Sequence, residues 1–287
     1  MSIQVRNLSH IYDNGTPDKQ KALDNVNFDI YDGEIVGIIG HTGSGKSTLL
    51  QHLNGLLKAD TGSIVIGSDD ITKPGVSMRD IRRKVGLVFQ YPEYQLFEET
   101  VALDVAFGPK NLGLSDEEIE DRVEEAIRLV GLNYDEIKDR SPFDLSGGQK
   151  RRVAIAGVIA MKPQVLILDE PTAGLDPGAH KDILTMIRDV HEAEDNIIIF
   201  VSHNMADVAN LSDKVMVMDQ GKMIMSGTPK EVFSQQERLS SIGLNVPPVT
   251  DLMHRIKANG GDVRDDVLSI KEAEEELYRY FMGKMNR

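Results

Sequence analysis

Glu34-Ile35-Val36-Gly37-Ile38-Ile39-Gly40-His41-Thr42-Gly43-Ser44-Gly45-Lys46-Ser47-Thr48 decides the fold. Its opening residues form a short apolar run that reads as a strand buried on both faces. A glycine-rich loop follows, after which Leu49, Leu50, Leu53, Leu56 and Leu57 recur at helical spacing. Strand, glycine loop and helix in this order fit the phosphate-binding loop pattern from Gly40 to Ser47. Glycines let the backbone curl until successive N–H groups face phosphate oxygens, and the helix N-terminus adds a favourable dipole. Lys46 would bring its ammonium to the β and γ phosphates, and Ser47 would ligate Mg²⁺.

Outward from this stretch the pattern stays α/β. Residues 85–89, 165–168 and 197–201 are further buried-strand candidates with helical segments between them, so a largely parallel sheet is expected. Ahead of the loop, Ile3, Val5 and Leu8 alternate with polar residues, and Phe28-Asp29-Ile30 leads into an Asp32-Gly33 turn, an N-terminal β part. Residues 91–161 read as a mostly helical insertion. There Ser115-Asp116-Glu117-Glu118 is a capping-box pattern, Ile119, Val123, Ala126, Ile127 and Val130 form one stripe, and Gly131 stops the helix. A hairpin is predicted where residues 215–218 turn at Asp219-Gln220-Gly221-Lys222. One domain over 1–228 and a small helical appendage over 229–287 are expected, with Ile270, Ala273, Leu277 and Phe281 sharing a face of the last helix.

Composition narrows the function classes. The chain has 287 residues, no Cys, and a formal net charge of −14. Absence of Cys removes disulfide and thiolate-metal chemistry and gives no sign of an oxidising compartment. The start carries no signal-peptide pattern, and apolar runs fall far short of the ~18–20 residues that span a bilayer, so a soluble cytosolic chain is expected. The acidic excess disfavours free nucleic acid and lipid surfaces as partners; at a membrane, such a chain would dock on protein.

Val165-Leu166-Ile167-Leu168-Asp169-Glu170 supplies a second half of the site. An apolar strand would deliver Asp169 to the Mg²⁺ shell, and Glu170 to a water attacking the γ-phosphate. On this stretch alone, a buried strand ending in two solvated acids is the other reading. Leu145-Ser146-Gly147-Gly148-Gln149-Lys150-Arg151-Arg152 resembles the signature of the ABC ATPase superfamily, in its usual place shortly before the Asp169-Glu170 strand. Such a segment opens a helix whose N–H groups face a γ-phosphate.

The resemblance implies roles for further positions. Gln90 is similar to the glutamine that senses Mg²⁺ and leads to the transporter contact, His203 to the switch histidine on the γ-phosphate, and Gly174-Leu175-Asp176 to the loop that crosses to the opposite subunit. Tyr12 resembles the aromatic that stacks on adenine. A strand-end core tyrosine is the alternative, since residues 14–21 are longer and more polar than a short turn. Cofactor-binding positions are thus Tyr12, Gly40, His41, Thr42, Gly43, Ser44, Gly45, Lys46, Ser47, Thr48, Gln90, Asp169 and Ser146, Gly147, Gly148, Gln149. Catalysis falls to Glu170, His203 and Lys46, and Mg²⁺ to Ser47, Gln90 and Asp169.

Gln90-Tyr91-Pro92-Glu93-Tyr94-Gln95-Leu96-Phe97-Glu98-Glu99-Thr100-Val101, with residues 146–152 and 169–177, resembles an ATPase subunit of energy-coupling factor transporters, importers of vitamins and of cobalt or nickel. The Tyr-Pro-Glu-Tyr-Gln stretch and Arg151-Arg152 are more similar to the second of that family's two ATPases. The resemblance implies a P-loop NTPase fold with a helical signature subdomain and a helical C-terminal extension that helps hold two related ATPases together. It also implies ATP and Mg²⁺ as cofactors, a transmembrane coupling protein, a separate substrate-capturing membrane protein, and the cytoplasmic face of the membrane. The competing readings are another importer ATPase with a regulatory C-terminal domain and a soluble ATPase acting on nucleic acid. The segment between Lys46 and Ser146 is too short and broken for the long coiled coils of repair-type relatives, and one P-loop is fewer than translation-type relatives carry.

Overall fold

Why one chain should build two sheets is visible in its first two strands. The computed structural model describes residues 1–12 and 20–285; most of the polar stretch after Tyr12 therefore lies outside the described residues. Strands β1 (Ile3–Tyr12) and β2 (Gln20–Ile30) pair antiparallel. Between Val5↔Phe28 and Leu8↔Val26 the register shifts, with Asn7 at φ 51°, so an extra residue turns Leu8 to the same buried side as Ile3 and Val5.

Strand β3 (Ile35–Ile39) is buried along its whole length and feeds helix α1 (Lys46–Leu53). The helix is shorter than the leucine spacing predicts. Gly55 takes φ 69° and ends it, leaving Leu56 exposed on the following turn. Strands β4 (Thr61–Ile66) and β5 (Asp69–Asp70) complete an antiparallel sheet in the order β2-β1-β4-β5. Helix α2 (Met78–Lys84) then leads to β6 (Val85–Val88).

The expected helical insertion follows as α3 (Val101–Leu112), α4 (Asp116–Leu129), α5 (Tyr134–Ile137) and α6 (Gly147–Ile159). Ser115 and Glu118 form the capping box that starts α4, and Gly131 adopts φ 71° just past its end. Strand β7 (Val165–Asp169), α7 (Pro177–Glu194), β8 (Ile197–Val201), α8 (Met205–Leu211) and the hairpin β9 (Lys214–Asp219) to β10 (Lys222–Gly227) close the core. Gln220 and Gly221 both have positive φ, the geometry a tight two-residue hairpin requires.

The second sheet runs β10-β9-β3-β8-β7-β6, parallel except for β10. Alternate side chains of its central strands enter two different cores. Leu166, Leu168, Ile198 and Phe200 pack with the helices, while Ile167, Ile197, Ile199 and Val201 pack toward the antiparallel sheet. Each buried aliphatic side chain contributes ~1.5–3 kcal/mol, which is why these strands read as unbroken apolar runs.

After the hairpin, α9 (Pro229–Phe233) and α10 (Gln236–Ser241) send Val232, Phe233 and Leu239 into the main core. Only α11 (Pro248–Ala258) and α12 (Ile270–Met285) share a small separate core of Met253, Val263, Val267 and Ala273, with Leu277 against it. The face expected for α12 differs in part. Ile270 and Phe281 are 77% and 57% exposed, whereas Ala273 turns inward and with it Glu276, which pairs with Arg264 and Arg279. Among the described residues no helix is long and apolar enough to cross a membrane.

Candidate active site

The strand order explains how residues far apart in sequence meet. In space β3, β8, β7 and β6 are consecutive neighbours, with Ile38 level with Val201, Val201 with Asp169, and Leu168 with Val88. Their carboxyl ends therefore present, side by side, the 40–47 loop, Ser202-His203, Asp169-Glu170 and Gln90. The crevice outside the carboxyl ends of parallel strands is where open α/β sheets bind ligands.

The glycines of the loop are required by its shape. A Cβ on Gly40 would lie 2.4 Å from the Met218 carbonyl oxygen and 2.5 Å from Ser44 Oγ. Gly45 has φ 100° and caps α1 without a side chain. Among the described residues, no hydrogen bond engages the N–H groups of Gly43, Gly45, Lys46 or Ser47, which leaves them to an anion at the helix start. Ser44 is buried with its hydroxyl unpartnered. Thr42 carries a carbonyl that accepts from His41 Nδ1 at 2.7 Å, while His41 Nε2 meets Asp219 at 2.8 Å; both contacts hold the imidazolium form and raise its pKa.

Lys46 folds back over the loop, donating to the carbonyls of Gly40 at 2.7 Å and His41 at 3.0 Å. Burial pushes its pKa down against the support of Glu170 and Asp169. Burial likewise pushes Asp169 up, with the Glu170 charge adding to it, while a 2.9 Å bond from Ser47 Oγ opposes. The two groups thus share one physical cause: charges held out of water with too little counter-charge nearby.

Glu170 stands at the centre of the crevice. Its backbone is left-handed at φ 52°, pinned by a 3.1 Å bond from its N–H to the Val201 carbonyl. Gln90 Nε2 donates to one carboxylate oxygen at 3.0 Å, and His203 Nε2 lies 2.7 Å from the other. Such a carboxylate can accept a proton from a water brought between it and a phosphate.

Tyr12 is half-buried, with its hydroxyl 3.3 Å from Thr48 Oγ1 and its ring edge-on to His10, which in turn meets His52. Burial pushes His52 down, so a neutral histidine sits in the last turn of α1.

Ser146, Gly147, Gly148 and Gln149 are not brought to this crevice by any hydrogen bond among the described residues. Ser146 caps α6, accepting from the Gln149 N–H, while Gln149 Oε1 accepts from the Ser146 N–H at 3.0 Å. The N–H groups of Gly147 and Gly148 have no acceptor among the described residues, and Ser146 and Gly147 are exposed. Past Gly174 (φ 72°) and half-buried Leu175, Asp176 caps α7 through Gly178 and Ala179.

Sequence reasoning missed one residue of consequence. Arg151 reads as part of a basic helix, yet it is 1% exposed, forked onto Glu93 and bonded to the carbonyls of Pro171 and Ala173. The opposite charge of Glu93 is the only signal for it, and no spacing rule links the two.

Residues 23–173 match the family model described as ABC transporter. The chain is 57% identical over 286 residues to "Energy-coupling factor transporter ATP-binding protein EcfA2" of Caldanaerobacter subterraneus subsp. tengcongensis, covering 100% of both. It is 56% identical over 284 residues to the protein of that name in Clostridium tetani, covering 99% of each. Among solved structures, cbiO1 from Clostridium perfringens, described as part of the ABC transporter complex cbiONQ, superposes with a TM-score of 0.74 at 40% identity over 88% of this chain and 98% of that one. The ATP-binding cassette MJ0796, in a dimeric post-hydrolysis state bound to ADP and Pi, gives 0.70 at 28% identity over 79% of this chain and 98% of that one.

Proposed function

The chain belongs to the ABC transporter ATPases and, within them, to the energy-coupling factor ATP-binding proteins, enzymes that hydrolyse ATP to drive transport; from that premise we propose how this one works. It is one of two related ATPases at the cytoplasmic face of a membrane, beneath a transmembrane coupling protein. Together they power uptake of a vitamin or transition metal ion captured by a separate membrane protein. This chain does no chemistry on the imported solute.

A single observation carries the mechanism: among the described residues the N–H groups of Gly147 and Gly148, which open α6, are unengaged, while that helix start is capped by its own Ser146 and Gln149 and makes no hydrogen bond to the Lys46 loop. Two incomplete half-sites on one chain call for a second chain that supplies the missing half of each. Lys46 and the loop amides from Gly40 to Thr48 hold the triphosphate, and Tyr12 stacks on the base. Ser146, Gly147, Gly148 and Gln149 close over the partner's nucleotide. Glu170 accepts a proton from water as its oxygen attacks the γ-phosphorus; the bond to the β–γ bridging oxygen breaks and ADP leaves with the electron pair. His203 orients that carboxylate and the γ-phosphate, and loss of the γ-phosphate reopens the pair.

Ser47 and Asp169 offer a hydroxyl and a carboxylate whose oxygens lie 2.9 Å apart, and Gln90, with its amide nitrogen on Glu170, keeps a free carbonyl oxygen. This small set of hard oxygen donors suits Mg²⁺, which takes few protein ligands beside substrate phosphates. Burial and the Glu170 charge, which raise the Asp169 pKa against the opposing pull of Ser47 and Lys46, support the same assignment. Bound there, Mg²⁺ would neutralise phosphate charge.

Two surfaces suit the partners. A groove of about 720 Å³ between α2 and the insertion, lined by Arg79, Arg83, Leu96, Phe97 and Phe107, adjoins the Gln90 segment and suits a helix of the coupling protein. Ile270, Tyr278 and Phe281 leave apolar surface exposed on α12, which suits a contact between the two ATPases. The test is purification of the tagged chain from detergent-solubilised host membranes. A second ABC ATPase and a multi-span membrane protein should co-purify, unaffected by nuclease. Recovery only as a soluble single species would overturn the reading.

A further inference from the structure

Arg151 lies on the signature helix, yet its contacts are with two other segments. Its Nε donates to Glu93 Oε2 at 2.9 Å and its Nη2 to Glu93 Oε1 at 2.6 Å. Its Nη1 donates to the carbonyls of Pro171 at 3.1 Å and Ala173 at 2.6 Å, and the guanidinium carbon sits 5.6 Å from the centre of the Tyr91 ring. Only Arg has a planar fork that can meet a carboxylate and two carbonyls at once; Lys is a single compact charge with three donors.

The two segments are those that carry Gln90 and Glu170. Tyr91, next to Gln90, and Glu170, next to Pro171, both adopt left-handed backbone, at φ 56° and 52°. Side-chain-bearing residues keep that conformation when their surroundings enforce it. Here Arg151 bears on Tyr91 and Glu93 from one side and on Pro171 and Ala173 from the other, and across this staple Gln90 meets Glu170 at 3.0 Å. Gly174 is part of the same packing, since a Cβ there would come 3.5 Å from the Tyr91 ring. Burial would raise the Glu93 pKa, but the Arg151 bonds and charge outweigh it and hold that carboxyl low, so the pair stays ionised at neutral pH.

We propose that Arg151 is a positioning residue: it fixes the Gln90–Glu170 pair of this chain to the signature helix that closes the partner's nucleotide, so the two composite sites move together. This rests on the roles given to Gln90 and Glu170 above. Breaking the staple lets the Gln90 segment and the 171–173 loop drift apart, and misplacement of about 1 Å at a reacting group costs up to a hundredfold in rate.

The experiment measures ATP turnover in the assembled transporter carrying Arg151→Lys or Glu93→Gln, each alone and with Gln90→Ala. Glu93→Gln keeps volume and one acceptor, and so reads the staple even where Arg151→Lys impairs folding. Each single variant should lower kcat about ten- to a hundredfold with KM for ATP within about twofold. With Gln90→Ala already present, neither should lower kcat further, because both act through the same geometry. A merely structural role predicts the reverse: losses that multiply with Gln90→Ala, or a raised KM with unchanged kcat. Either result, or wild-type kcat in a folded variant of either residue, overturns the proposal. Should Gln90→Ala and Glu170→Gln themselves leave kcat intact, the underlying site assignment fails instead.

Discussion

Replacing Glu170 with Gln tests the assignment of the general base with little structural disturbance. The carboxylate has two donors facing it, Gln90 Nε2 at 3.0 Å and His203 Nε2 at 2.7 Å. A glutamine keeps one acceptor oxygen, which stays with Gln90, and turns its new NH₂ toward His203. The imidazole adapts by moving its proton to Nδ1 and accepting through Nε2. Both contacts survive, so the fold should lose less than about 1 kcal/mol. Nucleotide affinity should hold or improve, since one negative charge has left the neighbourhood of the triphosphate. What the amide cannot do is take a proton from water. General-base catalysis contributes ~10²–10⁴-fold, about 2.7–5.4 kcal/mol of barrier, and turnover should fall by that factor. The assay pairs equilibrium nucleotide binding with single-site turnover in the assembled transporter. Turnover within about threefold of wild type, with binding intact, would refute the role of Glu170.

Three further outcomes follow from the same geometry. Gly45→Ala would place a Cβ 2.5 Å from the Ala22 carbonyl at φ 100°; the left-handed strain alone costs ~1–2 kcal/mol, so denaturant unfolding should show at least that loss together with weakened nucleotide binding. Ser146→Arg combined with Lys46→Ala in this chain should disable both composite sites, whereas Ser146→Arg combined with loss of the partner's loop lysine should leave one working, read as residual ATP turnover. In the C-terminal core, hydrogen bonds from Arg279, with help from Arg264, hold Glu276 at about 2 against an ordinary value of 4.5. A depressed carboxylate contributes stability that is present above the ordinary value and lost as pH falls toward about 2; limited proteolysis across that window should release α11 and α12, and Glu276→Gln should flatten the dependence.

Much of the fold is legible because its strands are buried on both faces. The residues of β3, β7 and β8 have no polar side to expose, so apolar runs bounded by polar residues or glycine mark them plainly. The capped α4 and the Gln220-Gly221 hairpin are local devices, and local chemistry specifies them. What stays hidden depends on distant partners. Strand β4 opens on Thr61-Gly62-Ser63, which carries no strand signal, and gains its identity by pairing with β1. Glu276 looks like one acid among many on α12 until Arg264, brought from the preceding loop, buries it. Arg151 is the strongest case, because a signature helix with two arginines reads as a solvated basic surface. The chain instead wraps the 91–95 turn and the 171–173 loop around one of them.

The same contrast bears on why a single chain presents two unfinished sites. At the Lys46 loop, amides unengaged among the described residues and the Lys46 ammonium face two acids, Asp169 and Glu170, so binding of a triphosphate there leaves its outer oxygens with few donors from this chain. At the α6 start the reverse holds: Gly147 and Gly148 present N–H groups and a positive dipole with no anion among the described residues. Neither deficit is repaired among the described residues, for the capping box uses the N–H groups of Ser146 and Gln149 and leaves those of Gly147 and Gly148 free. Those two deficits are complementary in sign. Placing the α6 start of one chain over the phosphates held by another satisfies both at once, and the gain exists only while the γ-phosphate is present to be shared. Closure of the pair is then worth what those shared hydrogen bonds are worth, ~1.5–3 kcal/mol for each bond to a charged group. In the proposed two-chain arrangement, cleaving the γ-phosphate withdraws that sum, and a reaction at Glu170 becomes movement between chains.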